Sequence, residues 1–236
     1  MKKGFLTLMA LLAGFAPQAN AAIIDSFDDG LADLVANAGN GWQREVQSGL
    51  TEVLGGEREV TAIYYAGNST VSGDLTTRVN RGDSGELQHG QGPGVAGQTV
   101  LVYDGEGDAN DPGSAVDVNY TGLGGIDLTA DGHSMFVLDV LFADFSANQV
   151  IGIRVYTDEN NYSDLIQNIA SPINSAQPFV FNFADFVIGA GATGAADFTN
   201  VGAIVLAIDG RLDPALDIIV ADFRTALIPE PATLVM

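Results

Sequence analysis

Gln149-Val150-Ile151-Gly152-Ile153-Arg154-Val155-Tyr156-Thr157 carries the period that decides the fold. Ile151, Ile153 and Val155 fall on one side of an extended chain, and Arg154 and Tyr156 fall on the other. A half-buried strand has that period of two and a helix does not. Working outward, Val201–Asp209 is apolar on both faces, as suits a central strand. Phe179, Phe181 and Phe183 form a one-sided aromatic row with Asn182 opposite. Arg58–Tyr65, Leu75–Val79, Gln98–Tyr103, Met135–Phe142 and Leu216–Phe223 read as further strands. Between these runs stand the turn formers Gly, Asp and Asn, with 29 glycines in all. Residues 186–200 are rich in Gly and Ala, and Asp197 and Thr199 are placed to cap a short turn before Val201. No long amphipathic helix, internal repeat or dividing linker is visible. The sequence predicts an all-β single domain over 22–227, two packed sheets in a jelly-roll-like β-sandwich.

The chain has 236 residues and a formal net charge of −21. Both lysines, Lys2 and Lys3, lie at its start, so seven arginines face 30 acids over the rest. Such a surface repels phosphate backbones and anionic lipid, which excludes nucleic acid as a partner. There is no cysteine, so disulfides, thiol nucleophiles and thiolate metal sites are excluded.

Few patterns carry chemistry. Gly82-Asp83-Ser84-Gly85 copies the nucleophile segment of trypsin-like proteases. Glu86 follows where those enzymes have glycine, and His89 and His133 come after the serine rather than before it. The segment is therefore expected to be a polar hairpin turn. Close carboxylate pairs of the kind a glycosidase uses are unavoidable with 30 acids and carry no weight. Asp139 and Asp222 stand out only because each lies within a strand, Asp139 facing outward. Trp42, Tyr64, Tyr65, Tyr103, Tyr120, Tyr156 and Tyr162 are candidates for a platform on which sugar rings stack. The loop Asp104-Gly105-Glu106-Gly107-Asp108-Ala109-Asn110-Asp111-Pro112 alternates carboxylates with small residues. Asp104, Glu106 and Asp108, with Asn110 and Asp111, form a candidate Ca2+ set, since calcium takes 6–8 oxygens from such side chains. Ala109 stands where an EF-hand needs glycine, so the loop is not of that type.

The chain ends read as addresses. Met1-Lys2-Lys3, an apolar run from Gly4 to Ala16 and Ala19-Asn20-Ala21 make a secretory signal peptide over 1–21. At the other end, Ile228-Pro229-Glu230-Pro231-Ala232-Thr233-Leu234-Val235-Met236 resembles the opening of the PEP-CTERM sorting signal of Gram-negative bacteria. Pro229, Glu230 and Pro231 match its core. That resemblance implies processing by an exosortase-type enzyme. It implies a secreted, cell-surface or extracellular-matrix location, and membrane contact only through a C-terminal span that the sequence does not include. Asp-Ser-Phe-Asp-Asp-Gly (25–30), Leu-Gly-Gly-Glu-Arg-Glu-Val (54–60), Tyr-Asp-Gly (103–105) and Leu-Gly-Gly-Ile-Asp-Leu-Thr (123–129) resemble exported domains found upstream of such tails, which look like carbohydrate-binding β-sandwiches. The closing pattern 197–208 is similar in style to galactose-binding-like modules. This second resemblance implies a structural ion near the chain ends, held by Asp25 or Asp28 with Asp222.

Together these readings give a non-catalytic exported protein of the envelope or extracellular polysaccharide matrix. The alternatives are a carbohydrate-binding module with a defined glycan site, favoured by an exposed row of two or three aromatics on a concave sheet, or a polysaccharide lyase or glycosidase, favoured by a cleft holding buried acids beside Arg or Tyr. Small residues at Ala19 and Ala21 fit signal peptidase, so exported protein should begin at Ala22. Intact-mass analysis checks this, and retention of residues 4–16 would overturn the export argument.

Overall fold

In the computed structural model, residues 22–66, 73–106, 113–144, 150–212 and 215–227 are described. The leader 1–21, Asp108, Asn110 and Asp111 of the acidic loop, and the Pro229-Glu230-Pro231 motif lie outside the described residues.

The chain runs through β1 (Ile23–Asp25), β2 (Ala32–Ala36), β3 (Trp42–Ser48), β4 (Glu57–Ala66), β5 (Leu75–Val79), β6 (Leu87–Gln91) and β7 (Ala96–Tyr103). It continues through β8 (Met135–Ala143), β9 (Val150–Asp158), β10 (Asn161–Asn168), β11 (Gln177–Asn182), β12 (Val187–Ile188), β13 (Ala203–Asp209) and β14 (Asp217–Ala226). One antiparallel sheet has the order β11-β8-β14-β6-β5-β2, with β1 added alongside β14. The other has the order β12-β10-β9-β13-β7-β4-β3. The predicted two-sheet, all-β sandwich is therefore the observed architecture.

β13 is central, between β9 and β7, as its two apolar faces require. Its inward residues Ile204, Leu206 and Ile208 meet Ile151, Ile153 and Val155 of β9 and Leu101 and Tyr103 of β7 in the core. At one part of the core Phe136 packs edge-on to Phe183, with ring centroids 4.9 Å apart, and against Phe223 at 5.4 Å. The predicted aromatic row ends early. Phe181 is fully buried, but Phe183 already belongs to a turn of 3-10 helix after β11. Asp197 caps its turn as expected, accepting from the Thr199 N–H at 2.9 Å and hydroxyl at 2.7 Å.

Three polar ties cross the apolar interior. His89 of β6 pairs through Nδ1 with the Thr99 hydroxyl of β7 at 2.7 Å, and Thr99 with the Thr77 hydroxyl of β5 at 2.5 Å. Burial holds His89 down to about 4, so this histidine sits in the core as a neutral ring. Gln91 accepts from the Leu216 N–H and donates to the Gly210 carbonyl, fixing the approach to β14. The third tie is ionic. Arg58 of β4 points inward and is fully buried with Asp25 of β1. Its Nη1 donates to both Asp25 oxygens at 2.7 Å, and Nη2 to the Asp29 carbonyl at 2.8 Å and to Gln47 Oε1 at 2.5 Å. Tyr103 donates its hydroxyl to Asp25 at 3.0 Å, and the Phe27 N–H donates at 2.9 Å.

Removing one partner of a buried ion pair leaves the other charge uncompensated. Arg58→Ala should therefore lower stability by about 3–5 kcal/mol. Arg78→Ala, at an exposed pair with Asp33, should cost no more than about 1 kcal/mol. Urea denaturation followed by fluorescence of Trp42 reads both, and equal losses would contradict this assignment.

Candidate functional site

Strand alternation places the residues opposite the core on the outer face of the β3–β13 sheet. Cross-strand pairing sets Arg154 beside Asp164 and Val205, Gly152 beside Ile166 and Ala207, and Asp209 beside Gln98. These residues line an open cleft of about 390 Å³. Val100, Gly152, Val205 and Ala207 make a small-residue floor, and Val116 and Val118 bound it on the β4 side. Small side chains at the centre let a ligand lie close to the sheet, while larger ones stand around them.

Two groups of like composition flank the floor. In the first, Arg154 grips Asp164 with two bonds, Nε to Oδ1 at 2.5 Å and Nη2 to Oδ2 at 2.8 Å. Its third nitrogen donates to the Tyr156 hydroxyl at 3.3 Å. The guanidinium lies 4.7 Å from the centroid of the Tyr162 ring, and Tyr120 packs 5.0 Å from Tyr156. In the second, Arg211 grips Asp209 through Nε and Nη2. Its guanidinium lies 5.2 Å from the centroid of the half-exposed Tyr65, whose hydroxyl donates to Gln98 at 3.2 Å. Val205, next to Arg154, and Asp209 are four residues apart on β13, so the groups stand about 13 Å apart along the strand at ~3.3 Å per residue.

The charges here are held firmly. The bond to Asp164 pushes Arg154 further above its ordinary value, and the bond to Asp209 does the same for Arg211. Burial raises Tyr156, against the opposing pull of Arg154. The cleft thus offers fixed cationic donors, carboxylate acceptors already aligned by those cations, neutral phenols and flat ring faces.

The residues singled out from sequence go to different places. Tyr65 and Tyr156 line the cleft, and Tyr120 and Tyr162 pack against Tyr156. Tyr103 is buried on Asp25, and burial with the neighbouring Asp25 charge holds its hydroxyl well above the ordinary value. Tyr64 packs against the core and Trp42 is half-buried on β3. Ser84 lies in the β5–β6 hairpin turn, with positive φ at Gly82, Asp83 and Gly85, while His89 is in the core, so the expected polar turn is what forms.

The candidate calcium ligands do not converge among the described residues. Asp104 is buried and accepts from the Asn119 N–H at 2.7 Å, whereas Glu106 accepts from the Gly49 N–H at 3.0 Å. Asp25 faces inward, and its cation is Arg58. Asp28 sits against the turn at Gly85. Asp222 faces away from Asp25, where Arg224 donates to it at 2.7 Å and to the outward-facing Asp139 at 2.5 Å. Burial nevertheless raises Asp222, in opposition to Arg224. Among the described residues no group of three or more His, Asp or Glu is arranged to hold a metal ion.

Arg211, Asp209 and Asp164 were not singled out from sequence. The alternation of 149–157 already set Arg154 and Tyr156 together on the outward face, but their partners come from cross-strand register and from distant turns.

No protein-family model matches the chain. No curated protein matches it significantly. Among solved structures it is similar to the family 11 carbohydrate-binding module of a cellulosomal cellulase of Clostridium thermocellum, at 13% identity and a TM-score of 0.41, covering 90% of this chain and 99% of that one. A family 11 module from the same organism, in complex with a β-1,3-1,4-mixed-linked tetrasaccharide, aligns at 11% identity and a TM-score of 0.40 over 88% of this chain and 95% of that one. An exo-β-agarase aligns at 11% identity and a TM-score of 0.39, with 88% of this chain covering 25% of the enzyme. At these identities and scores the likeness transfers no ligand.

Because Tyr103 and Tyr156 are both raised, their phenols should ionise later than the ordinary tyrosine range near pH 10. Ultraviolet difference titration should show late components that Tyr103→Phe and Tyr156→Phe each remove. Early ionisation of Tyr156 would mean its hydroxyl is open to solvent.

Proposed function

We propose that this chain is an exported, non-catalytic β-sandwich that binds neutral glycan chains in the cleft on the outer face of the β3–β13 sheet. The observation that carries the reading is the pair of Arg–Asp–Tyr groups at either side of a small-residue floor. Sugar rings present apolar faces, which stack on tyrosines, and hydroxyls, which both donate and accept. Each group supplies a ring, a donor and an acceptor in one place. The acidic chain favours uncharged ligands, since a polyanion would meet a repulsive field on approach.

A hydrolytic reading is weaker on the same geometry. A glycosidase needs one carboxyl free to donate a proton across the scissile bond and a second to act on the opposite face. Here Asp164 and Asp209 are each bridged twice to an arginine. Destination is part of the proposal. The leader and the Pro229-Glu230-Pro231 motif support export with exosortase-type processing toward the envelope or the polysaccharide matrix.

The test is affinity electrophoresis of the protein starting at Ala22 in gels holding neutral β-glucans, galactans and xylans, with an anionic polysaccharide as control. At least one neutral polymer should retard it. Tyr65→Ala and Arg154→Ala should each weaken that retardation at least tenfold, about 1.4 kcal/mol, with melting unchanged. Retardation by none of the neutral polymers, or retardation indifferent to both substitutions, rejects the cleft as a glycan site.

A further inference from the structure

One boundary of the cleft does not belong to the sheet. Residues 113–118 cross its outer face on the β3–β4 side, and Val116 and Val118 meet the cleft beside Ile63 and Val100. Between those two valines, Asp117 turns the other way, toward Arg44 of β3, with Oδ2 3.8 Å from Nη1. The same Nη1 lies 3.6 Å from Glu59 Oε2, and the Glu59 side chain is fully buried. Thr61, opposite Arg44 in the strand register, is fully buried beside them. Charged and hydroxyl groups on an outward strand face are normally solvated. Here they are covered, and the covering segment itself supplies one of the charges.

The segment is fixed again just beyond this point. The Asn119 N–H donates to the buried Asp104 at 2.7 Å. Gly122 then passes so close to Asp104 that a Cβ there would collide with the Asp104 carbonyl oxygen. The stretch is thus held to the sheet by an ion pair at 117, a hydrogen bond at 119 and a close backbone approach at 122.

We propose that 113–118 is a wall of the cleft positioned by Arg44 and Asp117, and that it restricts the site to glycan chains without side branches on that edge. The inference rests on the glycan reading above. Val116 and Val118 present only apolar surface, so a branch directed at them would lose its water and gain no hydrogen bond. Such a branch would also have to displace a segment tied to a buried charge. The opposite edge is formed by the exposed Ile166 of β10, and no such overhang covers it among the described residues. Arg44 and Asp117 are positioning residues and do not contact the ligand. Arg44 has a second duty, because it is the cation opposite the buried Glu59.

The experiment uses Asp117→Asn, which leaves the Arg44–Glu59 pair in place, and Val116→Ala/Val118→Ala, which thins the wall without touching the ion pair. Hydrogen exchange of amides 113–120 reads the wall directly. Titration with linear β-glucan against xylose-branched glucan, with linear β-galactan against arabinose-branched galactan, and with linear xylan against arabinose-branched xylan, reads selectivity. The parent should prefer the linear form of whichever polymer it binds by about tenfold or more, the scale on which a steric contact discriminates. In Asp117→Asn exchange should speed up over 113–120 alone, and the preference should fall with melting unchanged. In the double valine variant the preference should fall without faster exchange. Equal binding of linear and branched forms by the parent overturns the inference, as does unchanged exchange in Asp117→Asn. Binding of none of the three sets by the parent rejects the glycan reading, and the role of the wall falls with it.

Discussion

The buried pair of Asp25 and Arg58 sets the relation between the two sheets. Taking a carboxylate and a guanidinium out of water costs several kcal/mol per ion, and only near-complete hydrogen bonding offsets it. Asp25 accepts from Arg58 Nη1, the Phe27 N–H and the Tyr103 hydroxyl, while Arg58 also reaches Gln47 and the Asp29 carbonyl. Burial raises the Asp25 carboxyl above its ordinary value, against the opposing pull of Arg58 and the other donors. An apolar interface between two sheets tolerates sliding, because hydrophobic contact is non-directional. A saturated ion pair does not. β1 belongs to the β14 sheet, whereas Arg58 and Tyr103 belong to the other, so one arrangement of the layers satisfies all partners. The bend that brings Asp25 and Asp29 to the same guanidinium puts the buried Phe27 at φ 60°, a conformation unusual for a bulky residue.

That alignment positions the outer face as well. Residues of β4, β7, β13, β9 and β10 are interleaved so that every second side chain enters the core. A sheet that is correctly seated inside must therefore present Arg154, Asp164, Val205, Ala207 and Asp209 outside. The cleft needs no separate folding signal. Its two arginine–aspartate pairs are closed by the chain's own residues, which removes part of the ordering cost that binding would otherwise incur.

Fold was legible because long alternating or doubly apolar runs such as 149–157 and 201–209 are local signals. The strands that escaped notice are short or polar. β10 carries Asn161, Tyr162, Ser163, Asp164, Gln167 and Asn168, because it lies near a sheet edge with an outward face at the cleft. β3 is likewise mixed, with Arg44 and Glu45 in its middle. The site was half legible for the same reason. Arg154 and Tyr156 share a strand face, so two-residue spacing pairs them. Arg211 and Tyr65 meet only after the sheet has formed, and no pattern along the chain announces such a contact. Asp25 was expected to hold an ion only through the resemblance to sugar-binding sandwiches, and in the fold it pairs with a cation of the chain itself. That cation is a side chain 33 residues away, a partner that sequence spacing does not reveal. Asp104 and Glu106, two residues apart, were expected to face one point, yet one turns into the fold and the other toward Gly49.

The position of β14 has a consequence for the order of events in biosynthesis. This strand is the last in the described chain, yet it lies inside its sheet, bonded to β8 on one side and to β6 and β1 on the other. The Ala22 carbonyl also accepts from the Thr225 N–H at 2.8 Å. Until β14 has been made, one layer has a gap at its middle and β1 lacks its partner strand. The nascent chain therefore stays open over this layer, and its closure waits for β14. Such late, long-range pairing is slow, so the acidic composition that keeps the finished surface soluble also protects the chain from sticking to its copies during that interval.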